Sequence, residues 1–164
     1  MTYSVAYLRP IWTFSMTNTS LEIRPYRAED NAALTRIWFA ASRIAHAFLG
    51  EDKLREQSKL VSDYYLPQAE TWVACLSDQP VGFIGLIDRT IGGLFVKPQA
   101  QGMGAGRALI SHGLSLKPQL SLEVYTLNSR TRSFYEKLGF REVGRRPVDD
   151  EGLPFEQISM VLTK

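Results

Sequence analysis

Between residues 94 and 110 the chain reads Leu94-Phe95-Val96-Lys97-Pro98-Gln99-Ala100-Gln101-Gly102-Met103-Gly104-Ala105-Gly106-Arg107-Ala108-Leu109-Ile110. A strand-forming run enters a turn with glycine at every second position, and a helix-forming run leaves it. Glycine tolerates positive φ and lets backbone N–H groups approach a ligand with no Cβ in the way. The first turn of the following helix adds unpaired N–H donors and the positive end of its dipole. Such a turn can cradle a phosphate or pyrophosphate. Two commoner glycine motifs are excluded. The dinucleotide fingerprint needs G-x-G-x-x-G, whereas the spacing here is G-x-G-x-G, and the nucleoside-triphosphate loop needs Lys-Ser/Thr where Arg107-Ala108 stands. On its own the run also fits a tight strand–helix turn.

A second stretch stands further along: Asn128-Ser129-Arg130-Thr131-Arg132-Ser133-Phe134-Tyr135-Glu136-Lys137-Leu138-Gly139-Phe140. Paired with Gln101-x-x-Gly104-x-Gly106, it resembles the GNAT superfamily of acetyl-coenzyme-A-dependent N-acetyltransferases. The likeness covers residues 21–164. It extends furthest toward the small bacterial YjaB-type members, through Ile37-Trp38, His46-x-Phe48-Leu49, Trp72-Val73-Ala74, Pro80-Val81-Gly82-Phe83 and Val148-Asp149-Asp150-x-Gly152-x-Pro154.

The resemblance implies acetyl-coenzyme A as co-substrate and a role for each matching position. Amides of Gln101, Gly102, Met103, Gly104, Ala105, Gly106 and Arg107 would hold the pyrophosphate. The backbone of Leu94, Phe95 and Val96 would pair with the pantetheine amides like an added strand. Asn128 matches a contact to the pantetheine arm. Tyr135 matches the hydroxyl that protonates the departing thiolate; read from the residues alone, it is also a candidate core aromatic beside Phe134. Amine attack on a thioester makes an oxyanion that a backbone N–H can stabilise, and expels a thiolate that needs a proton.

The general base is where the chain departs from the family. Many relatives carry a carboxylate on the strand leading to the loop, and here Gly92-Gly93 occupies that place. The candidates are Glu123 on the next strand and His46 at the C-terminal end of the first helix. Imidazole titrates near physiological pH, but a histidine there also compensates a helix dipole. A solvated strand carboxylate is the plain reading of Glu123.

These residues need elements to position them. Leu21, Ile23 and Pro25 alternate with Glu22, Arg24 and Tyr26, which predicts a half-buried strand. Asp30 is a candidate cap for a helix whose apolar stripe runs through Leu34, Ile37/Trp38, Ala41, Ile44/Ala45 and Phe48, with Gly50 ending it. A second helix should bury Leu54, Leu60/Val61 and Tyr64, and close at Pro67. Thr71–Ser77, Val81–Asp88 and Thr90–Val96 predict an antiparallel meander. A helix from the glycine turn, a strand at Leu120–Thr126, a helix over Ser129–Leu138 capped by Gly139 and two last strands, Phe140–Arg146 and Phe155–Leu162, complete the order βααβββαβαββ. The expected fold is an α/β (α+β) domain of GNAT type. Its sheet should be mixed, mostly antiparallel and twisted, with flanking helices, and a single strand–helix–strand crossover at the glycine turn. Trp38, Trp72 and Cys75 are read as core, His112 as facing solvent, and Asp149–Glu151 as a charged surface turn.

With 164 residues the chain matches the ~100–200 typical of one domain. Lys and Arg number 19 against 17 Asp and Glu, a net charge of +2 that argues against a long nucleic-acid contact surface. One cysteine and two histidines exclude a disulfide framework and a cysteine-rich zinc site, so no metal is expected. No apolar run approaches the ~18 residues of a membrane span, and a cytoplasmic enzyme is the expectation. Residues 1–20 are read as a tail, with Met16 a candidate start; an added edge strand is the alternative, and no secretory pattern stands there. The acceptor class stays open among a protein lysine or N-terminus and a small amine, as does a homodimer. A coenzyme-A-binding sensor without turnover and a toxin-type acetyltransferase of aminoacyl-tRNA are the other readings.

Overall fold

The computed structural model describes residues 20–164, and the reading of the N-terminal segment as tail or edge strand falls outside them save for Ser20. Seven strands make one sheet in the order β1-β2-β3-β4-β5-β7-β6. They are β1 Leu21–Pro25, β2 Glu70–Leu76, β3 Gln79–Ile87, β4 Thr90–Val96, β5 Gln119–Tyr125, β6 Arg141–Arg146 and β7 Gln157–Thr163. The helices are α1 Asn31–Ala45, α2 Glu51–Leu60, the single turn α3 Leu66–Gln68, α4 Ala105–Leu116 and α5 Ser129–Lys137. The expected element order and mixed, mostly antiparallel sheet are those observed. Every neighbouring pair is antiparallel except β4 and β5. No helix among the described residues is long and apolar enough to cross a membrane.

The period-2 alternation of the strands loads both faces of the sheet. On one, Leu109 and Ile110 of α4 pack with Ile84, Leu86, Leu120, Leu122 and Met160. On the other, Leu34, Ile37 and Trp38 of α1 and Leu54 of α2 pack with Val73, Cys75 and Phe83. Phe83 and Leu109 are fully buried, so truncating either to alanine should cost about 3–5 kcal/mol through lost transfer energy and the cavity left behind.

Four local expectations change. The second helix does not stay α-helical: a π-helical turn, Val61–Tyr65, follows α2. Leu60 and Tyr64 face outward at 49% and 66% exposure, while Val61 and Tyr65, which at 3.6 residues per turn share the face of Leu54, turn toward the sheet. Asp30 makes no side-chain cap to α1. Its carboxylate accepts from the Arg27 N–H and pairs with Arg24 at 2.8 Å, which holds the Asp30 carboxyl below its usual pKa. His112 lies against the half-buried Trp72, ring centroids 4.1 Å apart, rather than facing solvent. Asp149, in the turn read as surface, is only 3% exposed.

Candidate active site

Strands β4 and β5 meet at a single parallel pair, Thr90↔Ser121, whose hydroxyls stand 3.1 Å apart. Beyond that rung they diverge. The divergence coincides with a β-bulge: Gly85 pairs with Gly93 and Leu86 with Ile91, which leaves Gly92 as the extra residue of β4. A bulge bends its strand and raises the local twist. The resulting slot is a cavity of about 600 Å³, with Leu94, Phe95 and Val96 on one wall and Glu123, Val124 and Tyr125 on the other. A second cavity of about 540 Å³ opens at the glycine turn and shares Leu94, Val96, Gln101, Asn128 and Tyr135 with the first. Both are of the size that takes small-molecule ligands.

The glycine-turn end is made of backbone. Gly102 and Gly104 take φ of 81° and 90°, and a Cβ at either would meet nothing within 4 Å. Glycine is therefore required there by conformation, and the space in front of the amides stays open. Gly104 is the residue before α4, no acidic side chain sits in that helix's first turn, and no side chain caps it. Its unpaired N–H groups and dipole can hold an anion, with Arg107 and Arg130 on the same cavity. Gly106 does another job: a Cβ there would stand 3.0 Å from the Phe134 ring, so α4 and α5 pack closely at this point. The Gln101 side chain donates to the Val96 carbonyl at 3.2 Å and ties the turn back to β4, while the Met103 side chain is exposed.

Asn128 and Tyr135 stand at the junction of the two cavities. The Asn128 side chain accepts from the Thr131 N–H at the start of α5, so its carbonyl is used as a helix cap. Tyr135 is 6% exposed and its ring packs edge-on against Phe134 and Phe140. Burial pushes its phenol pKa up, which keeps the hydroxyl protonated.

The far end of the slot is made of side chains from distant elements. His46, following α1, lies edge-on to Tyr125 of β5 at 5.2 Å between centroids, and Phe48 reaches Tyr125 at 5.0 Å and Phe155 at 4.9 Å. The Tyr125 hydroxyl donates to Asp149 at 2.9 Å, and the other Asp149 oxygen accepts the N–H groups of Glu151 and Leu153. Glu151 in turn bridges to Lys53 at 2.7 Å and Gln57 at 2.8 Å on α2. The turn joining β6 and β7 is thereby fastened over the slot. His46 is hemmed in by rings, and burial lowers its pKa to about 4, so it is neutral at pH 7. Glu123 lines the slot, pairs with Arg146 and accepts from Ser159 at 3.5 Å. Arg146 is shared with Asp150 and Gln157. The structure thus gathers Tyr135, Glu123 and His46 around one cavity and adds Tyr125 to its lining, with Phe155, Asp149 and Arg146 holding lining residues from outside it.

A slot between two splayed parallel strands, with a glycine turn and an open helix N-terminus at its mouth, has the shape to take an acyl-coenzyme A, and the chain belongs to the GNAT acetyltransferases. Residues 67–142 match the family model described as the acetyltransferase (GNAT) domain. The chain is 37% identical over 142 residues to the peptidyl-lysine N-acetyltransferase YjaB of Salmonella typhimurium, across 86% of this chain and 97% of the relative. The solution structure of apo-form YjaB from Escherichia coli superposes with a TM-score of 0.80 at 37% identity, covering 87% of this chain and 97% of that one. The PaiA N-acetyltransferase of Thermoplasma acidophilum, solved in complex with coenzyme A, shares the fold at a TM-score of 0.73 and 19% identity over 88% and 99% of the two chains. The protein is an acetyl-coenzyme-A-dependent N-acetyltransferase.

Proposed function

We propose that this enzyme acetylates the side-chain amine of protein lysines by direct attack on acetyl-coenzyme A, with Tyr135 as the general acid. The observation that carries this reading is the place of Tyr135: a buried phenol on the wall common to both cavities, with no side-chain hydrogen bond to occupy its hydroxyl among the described residues. Backbone amides of residues 101–107 hold the pyrophosphate, and the free edge of Leu94, Phe95 and Val96 aligns the arm, placing the thioester near Tyr135. The amine nitrogen bonds to the acetyl carbon, and a β4 backbone N–H supports the oxyanion. As the carbon–sulfur bond breaks, Tyr135 gives its proton to the thiolate, the acylated nitrogen sheds its extra proton to solvent, and Tyr135 takes one back from solvent.

Charge supports a cationic acceptor. The glycine-turn cavity carries Arg107 and Arg130, whereas the lining of the slot carries Glu123 and Asp150. Arg146 pairs with both carboxylates and leaves the cluster one net negative charge, which favours an ammonium over an acidic acceptor, in keeping with the peptidyl-lysine activity named for the YjaB relative. Of the two candidate bases, Glu123 takes the ammonium's proton, directly or through water. His46 is packed between Phe48 and Tyr125, whereas Glu123 is an exposed carboxylate on the slot wall, open to the acceptor and to water.

The test is Tyr135→Phe, which keeps the ring and its packing. Coenzyme A affinity by calorimetry should be unchanged, and kcat with a lysine peptide should fall by about 100-fold, the lower range of general acid effects. Wild-type turnover in that variant would show that another group or water protonates the thiolate.

A further inference from the structure

With only one rung joining β4 to β5, the width of the slot depends on what holds the bend in β4. Tyr65 lies directly over that bend. The π-helical turn brings it in from the helix layer, and its hydroxyl donates to the carbonyl of Gly85 at 3.1 Å. Gly85 is the residue paired with Gly93 at the bulge. Gly85 and Gly92 face the ring. A Cβ at Gly85 would stand 2.5 Å from the phenol oxygen and one at Gly92 closer still, both far inside contact distance, whereas one at Gly93 would meet the Phe95 ring first, at 2.7 Å. The Tyr65 ring therefore fills the side-chain layer that Gly85 and Gly92 leave empty. A bulge disrupts the ladder locally, and buried carbonyls require a partner; the Tyr65 hydroxyl provides one. Tyr65 lines neither cavity, so it touches no reacting atom and acts by way of the backbone it holds.

We propose that Tyr65 is a positioning residue for acetyl transfer, pinning the β4 bend through the Gly85 carbonyl and so setting the distance of Leu94–Val96 from β5 across the slot. The inference rests on the slot being the seat of the acetyl-coenzyme A arm. Calorimetry with coenzyme A on the wild-type chain tests that seat by itself, and failure to bind overturns the seat and this inference together. Tyr65→Phe keeps the ring and removes only the pin. The thioester should then sit loosely, so kcat with a lysine peptide should fall about tenfold, since small misplacements are costly in rate. Coenzyme A Kd should stay near wild type, and the thermal midpoint should fall by no more than the few degrees that one lost hydrogen bond costs. The pH–rate profile should keep its shape, because Tyr65 moves no proton in the reaction. Unchanged kcat, or a loss seen only as a lowered midpoint, overturns the proposal. A second comparison uses the interlock itself. Gly92→Ala drives a methyl into the phenol oxygen, and Tyr65→Leu withdraws that oxygen. The kcat penalty of Gly92→Ala should be at least tenfold larger with Tyr65 present than in the Tyr65→Leu background, a coupling expected only of residues in contact. Equal penalties in both backgrounds refute the interlock.

Discussion

At one end of the slot, Gly102, Gly104 and the first turn of α4 follow each other in the chain and present main-chain N–H groups. At the other end, His46, Tyr125, Asp149 and Phe155 arrive from separate elements and present side chains. The first end is local and rigid, because its shape follows from φ angles that few residues other than glycine adopt. The second is assembled by long-range packing, and a change in any one contributor alters the rest. On the proposed reading, which seats the coenzyme at the first end and the acceptor at the second, this division lets acceptor preference change without disturbing coenzyme binding.

The sharpest way to break that comparison is at Gly104. Valine there must take φ near +90°, which is strained for a β-branched residue, and its side chain would crowd the open front of the cradle. Acetyl-coenzyme A affinity should weaken by about 100-fold, a change of about 2.7 kcal/mol, while the fold holds. Unchanged affinity by calorimetry in folded Gly104→Val would end the backbone-cradle reading.

Asp149→Ala addresses the opposite end. It leaves the Tyr125 hydroxyl and two backbone N–H groups without their shared acceptor, at about 1 kcal/mol for each lost hydrogen bond. The β6–β7 turn should loosen, raising the peptide KM about tenfold, with coenzyme A Kd unmoved. A change in coenzyme A Kd equal to that in KM would show the two ends to be one unit.

The smallest effect at neutral pH belongs to His46→Gln. His46 is neutral in the fold with a pKa lowered to about 4, against 6.5 when unfolded. The unfolded chain thus binds the extra proton between those values, and stability must fall as pH drops from 6.5 toward 4, by about 3 kcal/mol at most. Above pH 6.5 the group contributes no slope. His46→Gln should flatten this acid limb in denaturation curves and leave the pH–rate profile above 6.5 as in wild type. A lost near-neutral rate limb in that variant would make His46 the base after all.

The glycine spacing was legible because it encodes local backbone conformation. Element order was legible too, since period-2 and period-3.6 patterns follow from burial of one face. The side-chain end was not. Asp149 sits in a charged, glycine-containing turn that reads as solvent-facing, and only the approach of Tyr125 from a strand 24 residues away buries it. His46 shows the same limit: its place near a helix end was evident, its desolvation by Tyr125 and Phe48 was not. Tyr64 was read as the inward residue, although at 3.6 residues per turn Tyr65 lies nearer the face of Leu54 and Val61. A second signal existed. Gly85 and Gly92 on adjacent strands leave a gap in the side-chain layer that some large group elsewhere had to fill.

The single rung between Thr90 and Ser121 has a consequence for turnover. Hydrogen-bonded ladders run from β1 to β4 and again from β5 through β7 to β6, but the two blocks share only that one register pair. One block can therefore pivot against the other with no ladder unzipping. The resistance to such a swing comes from side chains: Leu109 and Ile110 of α4 packed on both blocks, His46 against Tyr125, and Glu151 tied to Lys53 and Gln57. Widening the seam would thus cost side-chain contacts and one rung rather than a ladder, which sets it apart from global unfolding.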